Sequence, residues 1–99
     1  MIVSSREDIV ALIQANHHVL KRYEVKSLAL FGSAARNRIR KHSDIDILVQ
    51  FNAPTWANYI GLKFYLQDLL GREVDLVTPK ALKSATRPSI EKDLMYVVS

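Results

Sequence analysis

The sequence predicts an α/β fold, with a small mixed β-sheet packed by helices in a single domain over residues 1–99. Three observations lead there. Apolar residues recur at helical spacing over residues 5–22 and again after Pro54. Short apolar or alternating runs at residues 25–31, 44–51 and 73–78 read as strands set between those helices. A chain of 99 residues suffices for one core and one domain.

In chain order, Ser4 and Glu7 have the spacing of a capping box, in which side chains satisfy the first free amides of a helix. Ile9, Leu12, Ile13 and Leu20 form the apolar stripe of that helix. His17 and His18 are neighbours, so on a helix their rings point about 100° apart and read as surface residues rather than one metal site. Residues 25–31, VKSLALF, form a buried strand ending at Gly32, where a short helix starts. Residues 37–43 form a polar loop with Ile39 as its one apolar residue. In the strand DIDILVQF, Ile45, Ile47 and Val49 share one face, and Asp44, Asp46 and Leu48 the other.

Pro54 suits the first turn of the next helix. Trp56, Tyr59, Ile60, Leu62, Phe64, Leu66, Leu69 and Leu70 give that helix a wide apolar face, and Gly71 stops it. EVDLVT at residues 73–78 is a third strand. Thr78-Pro79 caps a helix over 79–86, Pro88 interrupts it, and Ile90, Leu94 and Val97 mark a final helix.

Composition excludes several classes. Hydrophobic residues make up 48% and charged residues 24%, the balance of a globular chain. No apolar run approaches the roughly 20 residues of a membrane span, and MIVSSREDIV lacks the pattern of a signal peptide. The absence of cysteine removes disulfides and thiolate metal sites, and a cytoplasmic location is expected. The net charge of +4 gathers partly in Arg36, Arg38, Arg40 and Lys41, and more loosely in Lys80, Lys83, Arg87 and Lys92. Such charge can serve a nucleotide, a nucleic acid or solubility.

The chemistry concentrates between Leu28 and Phe51. Carboxylates two residues apart on a strand point the same way, about 6–7 Å apart at the backbone. Asp44 and Asp46 can therefore hold one divalent ion or help bridge two, and magnesium favours such oxygen donors. A solvent-facing strand edge that merely alternates gives the same pattern. Asp75, between Val74 and Leu76, supplies a third carboxylate if its strand lies beside the second; Glu73 has the same facing and is a rival. Three clustered carboxylates repel one another unless a cation is present. At Gly32-Ser33 the missing side chain lets a phosphate approach the backbone, Ser33 adds a hydroxyl, and Arg36 lies one turn on. A plain tight turn is the competing reading of that dipeptide.

LFGSAAR followed by SDIDILVQF resembles the nucleotidyltransferase superfamily that includes DNA polymerase beta, whose signature is Gly-Ser followed by D-x-D. It is more closely similar to the minimal nucleotidyltransferases, the MntA-like antitoxins of HEPN/MNT toxin–antitoxin pairs. Their pattern is GSxARG, a short loop, then SDxDLxV. The match is tight over Leu28–Phe51, and Asp75 falls where the family has its third carboxylate. Asn37 replaces a common glycine, and asparagine tolerates the left-handed conformation that the turn requires.

The resemblance implies a polymerase beta-like core and transfer of a nucleotide with release of pyrophosphate. Asp44 and Asp46 would hold the nucleotide-bound magnesium, and Asp75 would complete a second magnesium site and favour deprotonation of the attacking hydroxyl. Gly32 and Ser33 would hold the triphosphate of ATP, assisted by Arg36. It further implies an acceptor: a tyrosine of a HEPN-domain ribonuclease toxin, which AMP transfer neutralises. The chain leaves no room for a substrate-gripping domain, and its aromatics fall on apolar helix faces rather than a base-stacking platform. An acceptor that brings its own surface is therefore expected, rather than a nucleic acid. Three alternatives stand beside this one: an antitoxin acting by contact alone, an antibiotic-modifying nucleotidyltransferase, and DNA binding through Arg38, Arg40 and Lys41.

Overall fold

The computed structural model describes residues 2–40, 43–81 and 93–99. The chain runs α1 (Arg6–Ala15), α2 (His17–Leu20), a 3-10 turn at Lys21–Tyr23, β1 (Val25–Phe31), α3 (Gly32–Ala35), β2 (Ile45–Phe51), α4 (Trp56–Leu70), β3 (Val74–Val77), a 3-10 turn at Pro79–Ala81 and β4 (Met95–Val98). The four strands form one mixed sheet in the order β3-β2-β1-β4. β2 lies antiparallel to β1 and parallel to β3, with α4 as the crossover a parallel pair requires.

Period-two alternation divides the sheet into two unlike faces. Leu28, Leu30, Ile45, Ile47, Val49, Val74 and Leu76 pack against Ile9 and Ile13 of α1 and Leu62, Leu66 and Leu70 of α4. Ile13, Ile47 and Leu66 are fully enclosed, so truncating any of them to alanine should cost about 2–5 kcal/mol. The other face carries a small cluster of Ala29, Phe31 and Leu48. Asp46 and Asp75 belong to that second face because their neighbours Ile45, Ile47, Val74 and Leu76 are buried on the first.

Several expected boundaries shift. The helix start is capped by Ser5, whose hydroxyl accepts from the Asp8 amide at 3.1 Å, and not by a Ser4–Glu7 box. Asp8 provides the returning arm, accepting from the Ser4 amide at 3.1 Å and its hydroxyl at 3.2 Å. These bonds, the Ser4 amide first, hold the exposed Asp8 carboxyl below its ordinary range. The continuous helix over 5–22 is broken at Asn16, whose side-chain amide donates to the Leu12 carbonyl at 2.8 Å and competes with the helical ladder. His17 and His18 are exposed, with rings 6.1 Å apart at 89°. Thr55, not Pro54, starts α4: its hydroxyl accepts from the Asn58 amide at 3.1 Å, and Trp56 is the first helical residue.

The final helix is also overturned where it can be followed. Met95–Val98 is a strand, paired antiparallel to β1 through Ala29↔Tyr96 and Leu30↔Met95. β1 would otherwise present a row of unpaired amides and carbonyls, and the β-branched and aromatic MYVV suits a strand that closes that edge. Ile90 and most of the expected 79–86 helix lie outside the described residues; a 3-10 turn occupies Pro79–Ala81.

Candidate active site

β1 ends by delivering Gly32 to the turn, and antiparallel pairing sets Phe31 opposite Asp46. Gly32 has φ +65°, the left-handed region where a side chain is strained. It also touches the carboxylate of Asp46: a Cβ there would overlap Oδ2 and come within 3.2 Å of Cγ. The Gly32-Ser33 corner and the Asp46 carboxylate are therefore in direct contact. α3 is a single turn, so its macrodipole is small. What it offers an anion is the first-turn amides, which have no helical partner, and the Ser33 hydroxyl.

Parallel pairing sets Asp75 of β3 directly beside Asp46 of β2. The adjacency leaves a clear electrostatic mark. Burial pushes the Asp46 carboxyl up to about 6, with repulsion from Asp75 and Asp44 adding to the rise and Arg36 opposing it. Neutralising charge is what this group lacks, and a divalent cation would supply it, so the donor set fits magnesium. Among the described residues, no three His, Asp or Glu side chains already surround one point. Asp44 and Asp75 are exposed and Asp46 is half-buried, so the carboxylates would draw in on an ion rather than meet it preassembled. Glu73 is exposed, and its backbone carbonyl accepts from the Ile45 amide at 2.9 Å, which registers β3 against β2.

Arg36 follows the corner, with its guanidinium 2.7 Å from Asp93. The expected phosphate-binding cation is thus tied to the segment leading into β4. Asn37 adopts φ 57°, the left-handed conformation expected of it, and its side-chain oxygen accepts from the Arg6 amide at 2.8 Å. Arg6 also donates through Nη1 to the Ala35 carbonyl at 3.0 Å, clamping the corner to the start of α1.

Sequence reasoning missed Arg6 and Arg72. Arg72 Nε donates to the Val3 carbonyl at 2.7 Å and Nη1 to the Arg40 carbonyl at 2.8 Å. It therefore ties Arg40 and Ser43, which precede Asp44, to the N-terminal segment. Nothing local in GREVD marks this, because the Val3, Arg40 and Ser43 carbonyls it bonds are backbone groups far away in sequence.

A family profile described as the nucleotidyltransferase domain matches residues 12–97. Protein adenylyltransferase MntA of Thermococcus cleftensis is 35% identical over 99 residues, spanning 98% of this chain and 100% of its own. A Methanocaldococcus jannaschii protein, provisionally named a protein adenylyltransferase, is 43% identical over 95 residues, covering 91% of this chain and 95% of its own. A solved structure provisionally described as a minimal nucleotidyltransferase superposes with a TM-score of 0.79 at 31% identity, covering 91% of this chain and 93% of its own. The fold also matches, at TM-score 0.56 and 20% identity over 85% of this chain and 70% of the other, a structure of the tri-AMPylated Shewanella oneidensis HEPN toxin in complex with its MNT antitoxin. Gly32 against Asp46, with Asp75 in register alongside, is the arrangement that the Gly-Ser and D-x-D pattern anticipates, and this chain belongs to the nucleotidyltransferase domain family.

Proposed function

We propose that this chain is a magnesium-dependent protein adenylyltransferase and an antitoxin, transferring AMP from ATP to a tyrosine hydroxyl of a HEPN-domain toxin. The observation that carries the reading is the contact between Gly32 and Asp46 with Asp75 beside it, which joins a phosphate seat to a cation seat. The names of the relatives support the acceptor class. Their lengths match this chain's over nearly the whole sequence.

The residue roles follow from chemistry. Gly32 lets the Asp46 carboxylate sit against the corner, and the first-turn amides after it would receive phosphate oxygens, with Ser33 donating its hydroxyl to them. Arg36 contributes positive charge against the triphosphate. Magnesium, when bound, neutralises the carboxylates and the phosphates and stabilises the charge that develops during transfer. Asp44 and Asp46 would hold the nucleotide-side ion, and Asp46 and Asp75 the acceptor-side ion. The tyrosine oxygen bonds to the α-phosphorus, the bond to pyrophosphate breaks, and the phenolic proton leaves to solvent. The chain has no cysteine and its reaction consumes ATP, which suits action in the cytoplasm.

The test mixes the chain with the HEPN protein of the neighbouring gene, labelled ATP and magnesium. Label is expected on a partner tyrosine, lost on chelation and in Asp44→Ala. An unlabelled partner that Asp44→Ala still neutralises as well as the unaltered chain would sink catalysis and leave inhibition by contact.

A further inference from the structure

At the other end of the sheet from the carboxylates lies a cavity of about 830 Å³, between the start of α4, the ends of β2 and β3, and Pro79–Ala81. None of the candidate active-site residues lines it. Its walls include Trp56, Tyr59 and Ile60, and Lys26, Lys63 and Lys80 stand around it, with no Asp or Glu lining it among the described residues. Trp56 is 75% exposed, yet it is held in place. Its ring stacks on Tyr59 at 5.8 Å and 23°, and the Tyr59 hydroxyl donates to the Leu76 carbonyl at 2.6 Å.

The apolar surface continues beyond the cavity. Trp56, Ile60 and Phe64 recur every fourth residue, on a stripe about 120° round α4 from the buried Leu62, Leu66 and Leu70. Phe64 is 60% exposed. The stripe is about 12 Å long, and its far end lies outside the cavity. A small ligand filling the cavity would leave Phe64 in water, whereas a protein segment could cover both. Rigid, exposed aromatics of this kind are the side chains that dominate protein–protein affinity.

We propose that this face docks the acceptor protein, taking an acidic segment of it with one aromatic or aliphatic anchor seated beside Trp56. Charge favours an acidic occupant: among the described residues, three lysines and no carboxylate line the cavity. The cavity opens on the α4 side of the sheet and the carboxylates on the other, with Gln50 at the cavity rim about 13 Å along β2 from Asp46, so a partner seated here would reach them round the end of the sheet. A partner anchored here presents a second segment within reach of the carboxylates. The proposal rests on the reading that the acceptor is a protein.

Trp56 is the single tryptophan, so a fluorotryptophan-labelled chain reports this face alone. Adding the neighbouring-gene HEPN protein should shift that fluorine signal. Two double variants, Trp56→Ala with Phe64→Ala and Lys26→Glu with Lys63→Glu, should each weaken partner binding at least about 10-fold. The KM for the partner should rise in step, with kcat at saturating partner and ATP affinity unchanged. Circular dichroism confirms that the variants fold. Partner affinity within about twofold of the unaltered chain in both variants would overturn the docking site, whether or not AMP is transferred. Failure of the unaltered chain to bind the partner would overturn it too. Binding that depends on Trp56 but yields no AMP transfer would support docking while sinking the transfer reaction. A signal shifted by AMP alone and indifferent to the partner would overturn docking in favour of a small-ligand site.

Discussion

Gly32 and Asp46 are in contact, so a change at either is felt by both. In Gly32→Ala the new Cβ must fit at φ +65° and displace the Asp46 carboxylate. The backbone strain alone should cost about 1–2 kcal/mol. If Asp46 holds magnesium as proposed, moving its carboxylate by about 1 Å can cost about 100-fold in rate, so AMP transfer should fall by at least that much. Steady-state kinetics beside a melting curve would check both; a variant that melts lower yet transfers normally would separate the two residues. Asp46 itself carries a pH signature. Its folded carboxyl sits at about 6 against an ordinary 3.8, so between those values the folded state binds more protons than the unfolded state. The metal-free protein should therefore lose this contribution as pH rises from about 4 through about 6. Asp8 acts in the opposite sense, since its lowered carboxyl stabilises the fold above the ordinary range and ceases to do so in acid. Comparison with Asp46→Asn isolates the first effect. Without metal, that variant should melt above the unaltered chain at pH 8, and the gap should close toward pH 4. Magnesium should raise the melting temperature of the unaltered chain at pH 8 and leave the variant much less affected. A gap independent of pH would show that neither burial nor its acidic neighbours raise the Asp46 carboxyl.

At the scale of elements, legibility followed how local the cause was. β1 is readable to the residue because VKSLALF is an apolar run that stops at a glycine. β2 is readable in its facing as well, since the alternation of Ile and Asp dictates which side is buried. Asn37 is also local: a short polar residue where a left-handed turn is needed. β4 was misread because Ile90, Leu94 and Val97 copy helical spacing, while the demand for a strand comes from the open edge of β1 more than 60 residues earlier. α4 shows an intermediate case. Its apolar residues were identified, but a single face cannot hold all of them at about 100° per residue. Leu62, Leu66 and Leu70 go inward, leaving Trp56 and Phe64 in solvent. That outcome removes Trp56 from the set of core aromatics and makes α4 a two-sided helix, one side against the sheet and one carrying aromatics in solvent. The third carboxylate was readable as a residue type. Its meeting with Asp46 needed the parallel β2–β3 register, which only the α4 crossover provides.

For the molecule as a whole, the candidate site depends on pieces that are distant in sequence being held in one arrangement, and Arg72 is the clearest such tie. Its guanidinium joins the N-terminal segment at Val3 to the loop at Arg40, while the Val3 amide donates to Leu70 at the end of α4 at 3.1 Å. Gln67 extends the same junction into β3, its side-chain oxygen accepting from the Val74 amide at 3.2 Å. Asp44 enters β2 directly from the loop that Arg72 holds, so the position of one carboxylate depends on this cation. Arg72→Ala should cost about 2 kcal/mol, because charge-assisted bonds to two carbonyls are lost at a partly exposed site. Arg72→Lys keeps the charge but replaces a planar fork with a single point of donation, which cannot reach both Val3 and Arg40. The lysine variant should therefore recover part of the melting temperature but little of the activity. Its apparent magnesium affinity should fall alongside that of the alanine variant, because the loop before Asp44 stays loose in both. Magnesium-dependent thermal shift and transfer kinetics on the two variants would test this. A lysine variant with the unaltered chain's magnesium dependence would show that Arg72 supports the fold without organising the carboxylates.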